Sequence, residues 1–490
     1  MINAVRLKLI VSLCLLLVSI IFATSCSCLL PSPTPYGPRV AGDGIGGAIA
    51  VYEVRNGSNQ RSFYAQRISS EGDTLWGEKG VLVGSGYKTS DSFFDLLIVN
   101  DGSGGAIITW WAHPSSQPQT PLVHYVTKVD SEGSILWQKE IRGFDHMISD
   151  GAGGAIIATD YSYNEKTLFI IKIDSEGSFS WGEDGVSIYC EEYQCHSFQL
   201  ASDSSGGAIV IWQESHAEPG PEPHRPEITE RIFAQRVNSE GSPSWGQSGV
   251  LLYTTPEGVA ADGHQVISGG SGGAIAVWHQ WPLGKIEFGT PEALLDDICT
   301  QRVDADGNIL WQQNGVPLGI SKGGGICPHV PLVVSDGSGG AIIIWEDLRQ
   351  GMMSIYAQRI DAEGNIRWQE GGMQVCYIKS HSSFAYRTAV SDGSGGAIIA
   401  WGYKEAETNE EGLLAQRIDA AGRTVWPDNG TLASTARNRI AHTISDDGCG
   451  GIIVSWGTQQ PLLKSKQSYV QRIDAEGNRL WGEKGILLNR

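Results

Sequence analysis

No stretch of this sequence carries a convincing helical period, a brief insertion at residues 291–298 being the one candidate exception, so an all-β chain is expected. Positive charge is scarce as well: 35 Lys and Arg stand against 54 Asp and Glu, a formal net charge of −19 at pH 7. A surface that acidic argues against nucleic acid or anionic lipid as a broad-surface partner. The chain has no H-E-x-x-H and no P-loop, and its 9 cysteines show no pair-of-pairs spacing for zinc. No metal site is therefore expected from motif. What is present is a globular composition, 41% hydrophobic and 18% charged, which excludes wholesale disorder. The 63 glycines follow no collagen-like triplet and gather in recurring turns.

The first residues stand apart from the rest. Arg6 and Lys8 precede an apolar run at 9–23, and small residues follow, the layout of a secretory signal peptide over residues 1–25. The run is short for a membrane span, which needs about 20 residues. Ala23-Thr24-Ser25-Cys26 resembles the lipobox of bacterial lipoproteins, with Cys26 as the lipidated residue, although leucine is usual three positions before the cysteine. Cys28 offers a second, poorer register, and a plainly cleaved signal or an uncleaved anchor are the alternatives. Residues 26–37, rich in proline, read as a short stiff tether. Export permits disulfides among the six remaining cysteines. Cys190 with Cys195 could close a local loop, Cys327 with Cys376 could join neighbouring repeats, and free buried thiols are the alternative.

From residue 38 onward one unit recurs eight times. Its Gly-Gly element stands at Gly46-Gly47, Gly104-Gly105, Gly153-Gly154, Gly206-Gly207, Gly272-Gly273, Gly339-Gly340, Gly395-Gly396 and Gly450-Gly451. A later tryptophan stands at Trp76, Trp137, Trp181, Trp245, Trp311, Trp368, Trp426 and Trp481. Five residues after the second glycine comes another aromatic, Tyr52, Trp110, Trp212, Trp278, Trp345, Trp401 or Trp456, with Thr159 in the third copy. Only Trp111 and Trp281 fall outside these positions, so tryptophan here is architectural first.

Each unit reads as four strands. In the sixth, residues 331–335 precede the turn Asp336-Gly337-Ser338-Gly339-Gly340, whose glycines supply the positive φ of a tight reversal. Residues 341–345 are apolar on consecutive positions, as in a strand buried on both faces. Residues 356–361 form a third strand, Glu363-Gly364-Asn365 a turn, and a fourth strand is expected to carry Trp368. Repeats of this length with four antiparallel strands fit one propeller blade, whose two apolar faces are buried by radial stacking on two neighbours. The expected domain, residues 38–490, is an eight-bladed β-propeller, with a seven-bladed ring as the alternative. The ring is expected to close without a shared blade, and the terminal Ile486-Leu487-Leu488 to pair with the first blade.

The order of inner strand, Asp-Gly turn, apolar strand and Tyr356-Ala357-Gln358-Arg359-Ile360-Asp361 followed by Gly364 and Trp368 resembles the quinoprotein-like propeller repeat. The resemblance covers residues 38–490 in pattern, and its motifs are short. It implies a tryptophan-docking contact between blades, with Asp361, Gly364 and Trp368, or Asp474, Gly477 and Trp481, at the matching positions. Quinoprotein dehydrogenases of that kind use two adjacent cysteines near the cofactor, and this chain has none. The same turn also resembles the Asp-box of sialidase-type propellers.

Several apparent motifs dissolve in the repeat. Gly42 to Gly47 satisfies G-x-G-x-x-G, but a strand follows where a helix is required. Gly269-Gly270-Ser271-Gly272-Gly273 satisfies G-x-S-x-G as one more blade turn. Asp304 to Asn308 begins like a calcium loop, but Gly315 occupies the twelfth position, where a carboxylate is needed. An Asp-stabilised hairpin is expected there. No cofactor is expected, a structural calcium ion being the one exception left open. A basic residue recurs in every third strand, Arg67, Lys128, Lys172, Arg236, Arg302, Arg359, Arg417 and Arg472. Because all eight units share it, pairing with carboxylates such as Asp361 or Glu363 is expected in preference to an anion-binding ring.

If repetition marks structure, departures mark function. Second-to-third-strand loops are expected to be long in copies two, four and five, at 111–121, 213–230 and 279–297, on the same face as the inter-blade connections. They would gather Trp111, His113, Glu214, His216, His224, Arg225, His279, Trp281 and Asp297 as candidate ligand-binding residues; no catalytic residue can be named. The leading expectation is an exported, membrane-anchored lipoprotein of the cell surface or periplasm. It would act as a non-catalytic binding or scaffold module for an envelope protein or glycan. A carbohydrate-active hydrolase or lyase, a quinone-dependent dehydrogenase and a surface adhesin are the alternatives.

Overall fold

The computed structural model describes residues 37–56, 60–87, 96–117, 121–159, 167–189, 194–218, 227–282, 297–318, 330–347, 354–377, 383–404, 411–434, 439–459 and 466–489. Among them there are 32 strands and no helix. The strands form eight four-stranded antiparallel sheets, each built from consecutive strands of the chain. These are blades 1 to 8, at residues 39–87, 97–141, 146–189, 194–254, 259–317, 332–377, 383–434 and 439–487. The protein is thus an all-β, eight-bladed propeller, as the repeat predicts. The signal peptide, the tether and Cys26 lie outside the described residues.

The stacking follows from what the second strands are made of. All seven residues of Ala341–Asp347 are buried, and Ile342, Ile343 and Ile344 alternate between the two neighbouring seams. Burying one such side chain is worth about 1.5–3 kcal/mol, which no isolated blade can gain on both faces. The buried apolar side chains fall into eight clusters, one per seam, including one that joins blade 8 to blade 1.

At that last seam the ring closes without exchange of a strand. Gly42 N donates to Ser445 Oγ (2.9 Å) and Gly46 N to the Asp447 carbonyl (2.9 Å). The Ser455 hydroxyl donates to the Pro38 carbonyl at 3.0 Å. The predicted pairing of the C-terminal segment with blade 1 is not found. Ile486–Leu487 pairs with Val470 and Tyr469 of its own blade, while the Ile486 side chain packs into the seam with blade 1 and the Leu488 carbonyl accepts the Tyr52 hydroxyl at 3.0 Å.

Three further expectations need correcting. Trp368 does not lie in the fourth strand, which begins later, at Met373–Tyr377. The buried Gln358 bonds the chain where it leaves the sheet: its Oε1 accepts the Trp368 N–H (3.0 Å) and its Nε2 donates to the Gln369 carbonyl (2.8 Å), although blade 3, with Ile171 in that place, also starts its fourth strand late, at Val186–Tyr189. Blade 2 has Thr127 in place of this glutamine, and its fourth strand, Ile135–Ile141, runs straight through Trp137. The loops of blades 4 and 5 are also shorter than expected, because their second strands carry on to Glu218 and to Pro282, and the loop of blade 2 starts later, after Ala112. Finally, Cys376 is a free thiol buried in the seam between blades 6 and 7, so it forms no bridge with Cys327, which lies outside the described residues. Cys195 is disulfide-bonded, while Cys299 and Cys449 are free. The candidate helix at 291–298 lies outside the described residues except for Asp297 and Ile298, which are strand.

Candidate functional site

Strand order gives the ring two unlike faces. The first-to-second and third-to-fourth turns lie on one face, the second-to-third loops and inter-blade connections on the other. The turn face is a closed lock repeated eight times. Each docking tryptophan donates its indole N–H to a carbonyl in the next blade's third-to-fourth turn, at 2.9–3.1 Å, from Trp76 to Ser131 round to Trp481 to Ser70. The indole also fills the space over that turn's glycine. At Gly364, with φ of +87°, an added Cβ would come within 2.8 Å of Trp311. The docking geometry expected from the repeat is therefore present at all eight seams.

The basic residues belong to the same lock. Seven pair with the first aspartate of their own blade's Gly-rich turn, at 2.9–3.8 Å. Arg359, for instance, reaches Asp336 and donates to the Ala420 carbonyl of blade 7 at 3.1 Å. In blade 5 Gly269 replaces the aspartate, and Arg302 donates to the Gly269 (3.4 Å) and Ala362 (2.8 Å) carbonyls instead. The cations are structural, as expected, but their partner is the turn aspartate and not Asp361 or Glu363. Asp361 instead caps its hairpin, accepting the Glu363 and Asn365 N–H groups, and Asp304 does the same for Asp306 and Asn308. Those bonds, led by the Asn308 side chain, hold the Asp304 carboxyl below its ordinary range.

Among the described residues the larger departures from the repeat lie on the loop face. Blades 4 and 5 extend above the ring there: Ala208–Glu218 pairs with Glu227–Val237, and Val259–Gly270 with Gly273–Pro282. The corresponding second strand of blade 6 spans only seven residues.

The candidate residues are placed as follows. Trp111 is a buried strand residue in the seam between blades 2 and 3, with Arg61 over its ring at 5.4 Å and His113 edge-on at 6.2 Å. Glu214 is buried and accepts the Trp212 indole N–H at 3.0 Å. His216 stands in the extended blade 4 hairpin, opposite Thr229. His279 and Trp281 are brought together, stacked at 5.0 Å. Asp297 is buried opposite Gln280 in blade 5. His224 and Arg225 lie outside the described residues.

The richest polar arrangement joins blades 4 and 5, and it uses residues the sequence reading passed over. Gln213 Nε2 donates to Glu230 Oε2 and to the Ala261 carbonyl, both at 2.6 Å, and Ser215 Oγ donates to the same Glu230 oxygen at 2.6 Å. Gln213 Oε1 is buried without a donor among the described residues. Burial raises the Glu230 carboxyl above its ordinary range; the bonds from Ser215 and Gln213 oppose the rise, and the negative charge of Asp262 adds to it. Asp262 Oδ1 lies 3.9 Å from His279 Nδ1. A second non-repeated pair sits between blades 6 and 7, where buried Arg387 meets Glu346 at 3.2 Å and donates to the Val330 carbonyl. Burial lowers the Arg387 pKa and Glu346 opposes that fall. Among the described residues no group of three or more His, Cys, Asp or Glu converges as a metal would require. Among the described residues the free cysteines, Cys299, Cys376 and Cys449, lie on blades 5, 6 and 8.

No protein-family model and no curated protein matches this sequence. Solved structures similar to it include a polysaccharide lyase, at 9% identity over 79% of this chain and 90% of that one, with a TM-score of 0.45. A quinohemoprotein alcohol dehydrogenase from Pseudomonas putida HK5 is similar at 12% identity, over 92% and 75% of the two chains, with a TM-score of 0.37. The propeller domain of the Trilobed protease from Pyrococcus furiosus is similar at 10% identity, over 76% and 92%, with a TM-score of 0.37. Likenesses this distant carry no argument about activity.

Proposed function

We propose that this chain is an exported propeller, lipid-anchored through Cys26, whose loop face binds an envelope protein or glycan without transforming it. One observation carries the binding reading: the turn face repeats a single lock, whereas the extended hairpins and unrepeated polar clusters gather on the other face. A rigid frame that presents variable loops is how scaffolds hold recognition surfaces. Export rests on the signal-type N-terminus, and the net charge of −19 leaves nucleic acid out of the partners proposed.

Two experiments test this. In a thermal-shift screen with soluble peptidoglycan fragments and envelope glycans, the wild-type chain should be stabilised by at least one ligand. Replacing residues 219–226 and 283–296 with turns of three residues should abolish that stabilisation while the unliganded midpoint stays put. An unchanged ligand response in the shortened variant would sink the assignment to this face. A fatty-acid label should be incorporated by the wild type in a bacterial host and lost in Cys26→Ser; retained label would move the anchor elsewhere.

A second reading has one specific observation in its favour. A carboxyl held up by burial beside a more exposed carboxylate, Glu230 with Asp262, is the arrangement that separates acid from base in carbohydrate-active enzymes. Release of new reducing ends from a bound glycan, lost in Glu230→Gln, would decide for that reading.

A further inference from the structure

Two polar clusters that the eightfold frame does not need meet on one short segment, Ala260-Ala261-Asp262, in the innermost strand of blade 5. On its blade 5 side, Ala260 pairs with Trp281 and Asp262 with His279. The indole and imidazole stack with planes 19° apart. On its blade 4 side, the Ala261 carbonyl is tied through Gln213 to Glu230. A bulge between Asp262 and Gln265 breaks the ladder next to the segment, a device that re-aims side chains at the rim of a sheet.

Exposure is layered in the order a binding surface requires. The Asp262 side chain is 50% exposed and Trp281 is partly exposed, whereas His279 and Gln213 beneath them are buried at 3% and 2%. A reachable aromatic and a reachable carboxylate thus stand beside buried side chains, His279 stacked on Trp281 and Gln213 hydrogen-bonded to Glu230 and the Ala261 carbonyl.

Resting on the ligand-binding reading of this face, we propose that this rim is a saccharide subsite, Trp281 stacking on a sugar ring and Asp262 accepting its hydroxyls. A pyranose presents an apolar C–H face and a girdle of hydroxyl donors. An indole has the large amphipathic surface for the first, and an ionised carboxylate, an acceptor only, suits the second. The carboxylates here, on a chain of net charge −19, select neutral or amino sugars over uronates and sialates.

The test is titration of the purified full chain with neutral and N-acetylated β-linked oligosaccharides, followed by calorimetry. The wild type should bind at least one of them saturably. Trp281→Ala and Asp262→Asn should each weaken binding by about tenfold or more, while Trp281→Phe, which keeps a ring, should stay within about threefold. Unchanged thermal midpoints establish that the variants are folded. An oligosaccharide held equally well by Trp281→Ala and Asp262→Asn overturns this subsite and leaves the binding reading standing. A wild type that ignores every saccharide but is stabilised by an envelope protein overturns the ligand class alone. A wild type that binds nothing overturns both.

Discussion

Trp426 shows what one side chain contributes to the ring. Its indole is only 3% exposed, its backbone N–H donates to Gln416 Oε1 at 3.0 Å, and its ring N–H donates to the Ala475 carbonyl of blade 8 at 3.0 Å. Trp426→Ala keeps the backbone N–H but removes the indole's packing and its bond to the Ala475 carbonyl, so denaturant unfolding should show a loss of about 3–5 kcal/mol. A loss under about 1 kcal/mol, the scale of a single hydrogen bond, would mean that the ring is not held by docking. The reciprocal change is Gly477→Ala. That glycine has φ of +90°, and a Cβ there would lie 2.9 Å from the Trp426 ring. Strain at positive φ alone costs about 1–3 kcal/mol. Because the two residues touch, the double variant should be less destabilised than the sum of the singles. Additive losses would show that the clash does not govern the cost.

One seam gives the fold a pH dependence. His146, in the first strand of blade 3, stands edge-on to Phe198 of blade 4 at 5.4 Å, and burial pushes its pKa down to about 4. An unfolded histidine titrates near 6.5. Between those values the unfolded chain binds more protons than the folded one. The seam's stability is therefore complete above about pH 6.5, falls as pH drops through the window, and stops falling below about pH 4. The full effect is on the order of 3 kcal/mol. Urea unfolding of His146→Gln at pH 7 and pH 4.5 should show a clearly smaller pH difference than the wild type; equal differences would rule His146 out as the source.

How far such an element can be read from sequence depends on what specifies it. Gly364, Trp368 and Arg359 were legible because eight copies must solve the same packing problem, and recurrence exposes the solution. The partner of Arg359 was not: Asp336 is 23 residues away and meets it only across a sheet, whereas Asp361 is close in sequence, just past Ile360, but bonds into its own turn. The position of Trp368 outside the fourth strand goes with bonds from the Gln358 side chain, ten residues earlier, which the sequence does not display. Trp111 looked like a loop residue because hairpin length is not written in local composition, and it proved to be core. His279 and Trp281 were visible as departures from the repeat. Asp262, Gln213 and Glu230 were not, because a bulge and a neighbouring blade bring them there.

At the scale of the whole molecule, the eighth seam is built like the other seven. Trp481 donates to the Ser70 carbonyl at 3.1 Å and Arg472 to the same carbonyl at 3.4 Å, the same contacts that join blades 6 and 7 or 7 and 8. No strand crosses the seam, so closure rests on docking and packing contacts and not on strand exchange. Residue 38 enters and residue 489 leaves on the loop face, where the connection between blades 2 and 3 bridges the same kind of gap with residues 142–145. A circular permutant should therefore fold: residue 489 joined to residue 38 by a short glycine-serine linker, with new ends opened in the connection at 88–95. The seam between blades 1 and 2 would still be held by Trp76 on the Ser131 carbonyl at 3.0 Å. Its thermal midpoint should lie within about 4 °C of the parent, the shift that roughly 1 kcal/mol produces in a large domain. Its near-ultraviolet circular dichroism, which reports the docked indoles, should be unchanged. A permutant that aggregates, or that keeps its strands but loses the tryptophan signal, would show that the ring depends on where its chain begins, and that the eighth seam is not equivalent to the rest.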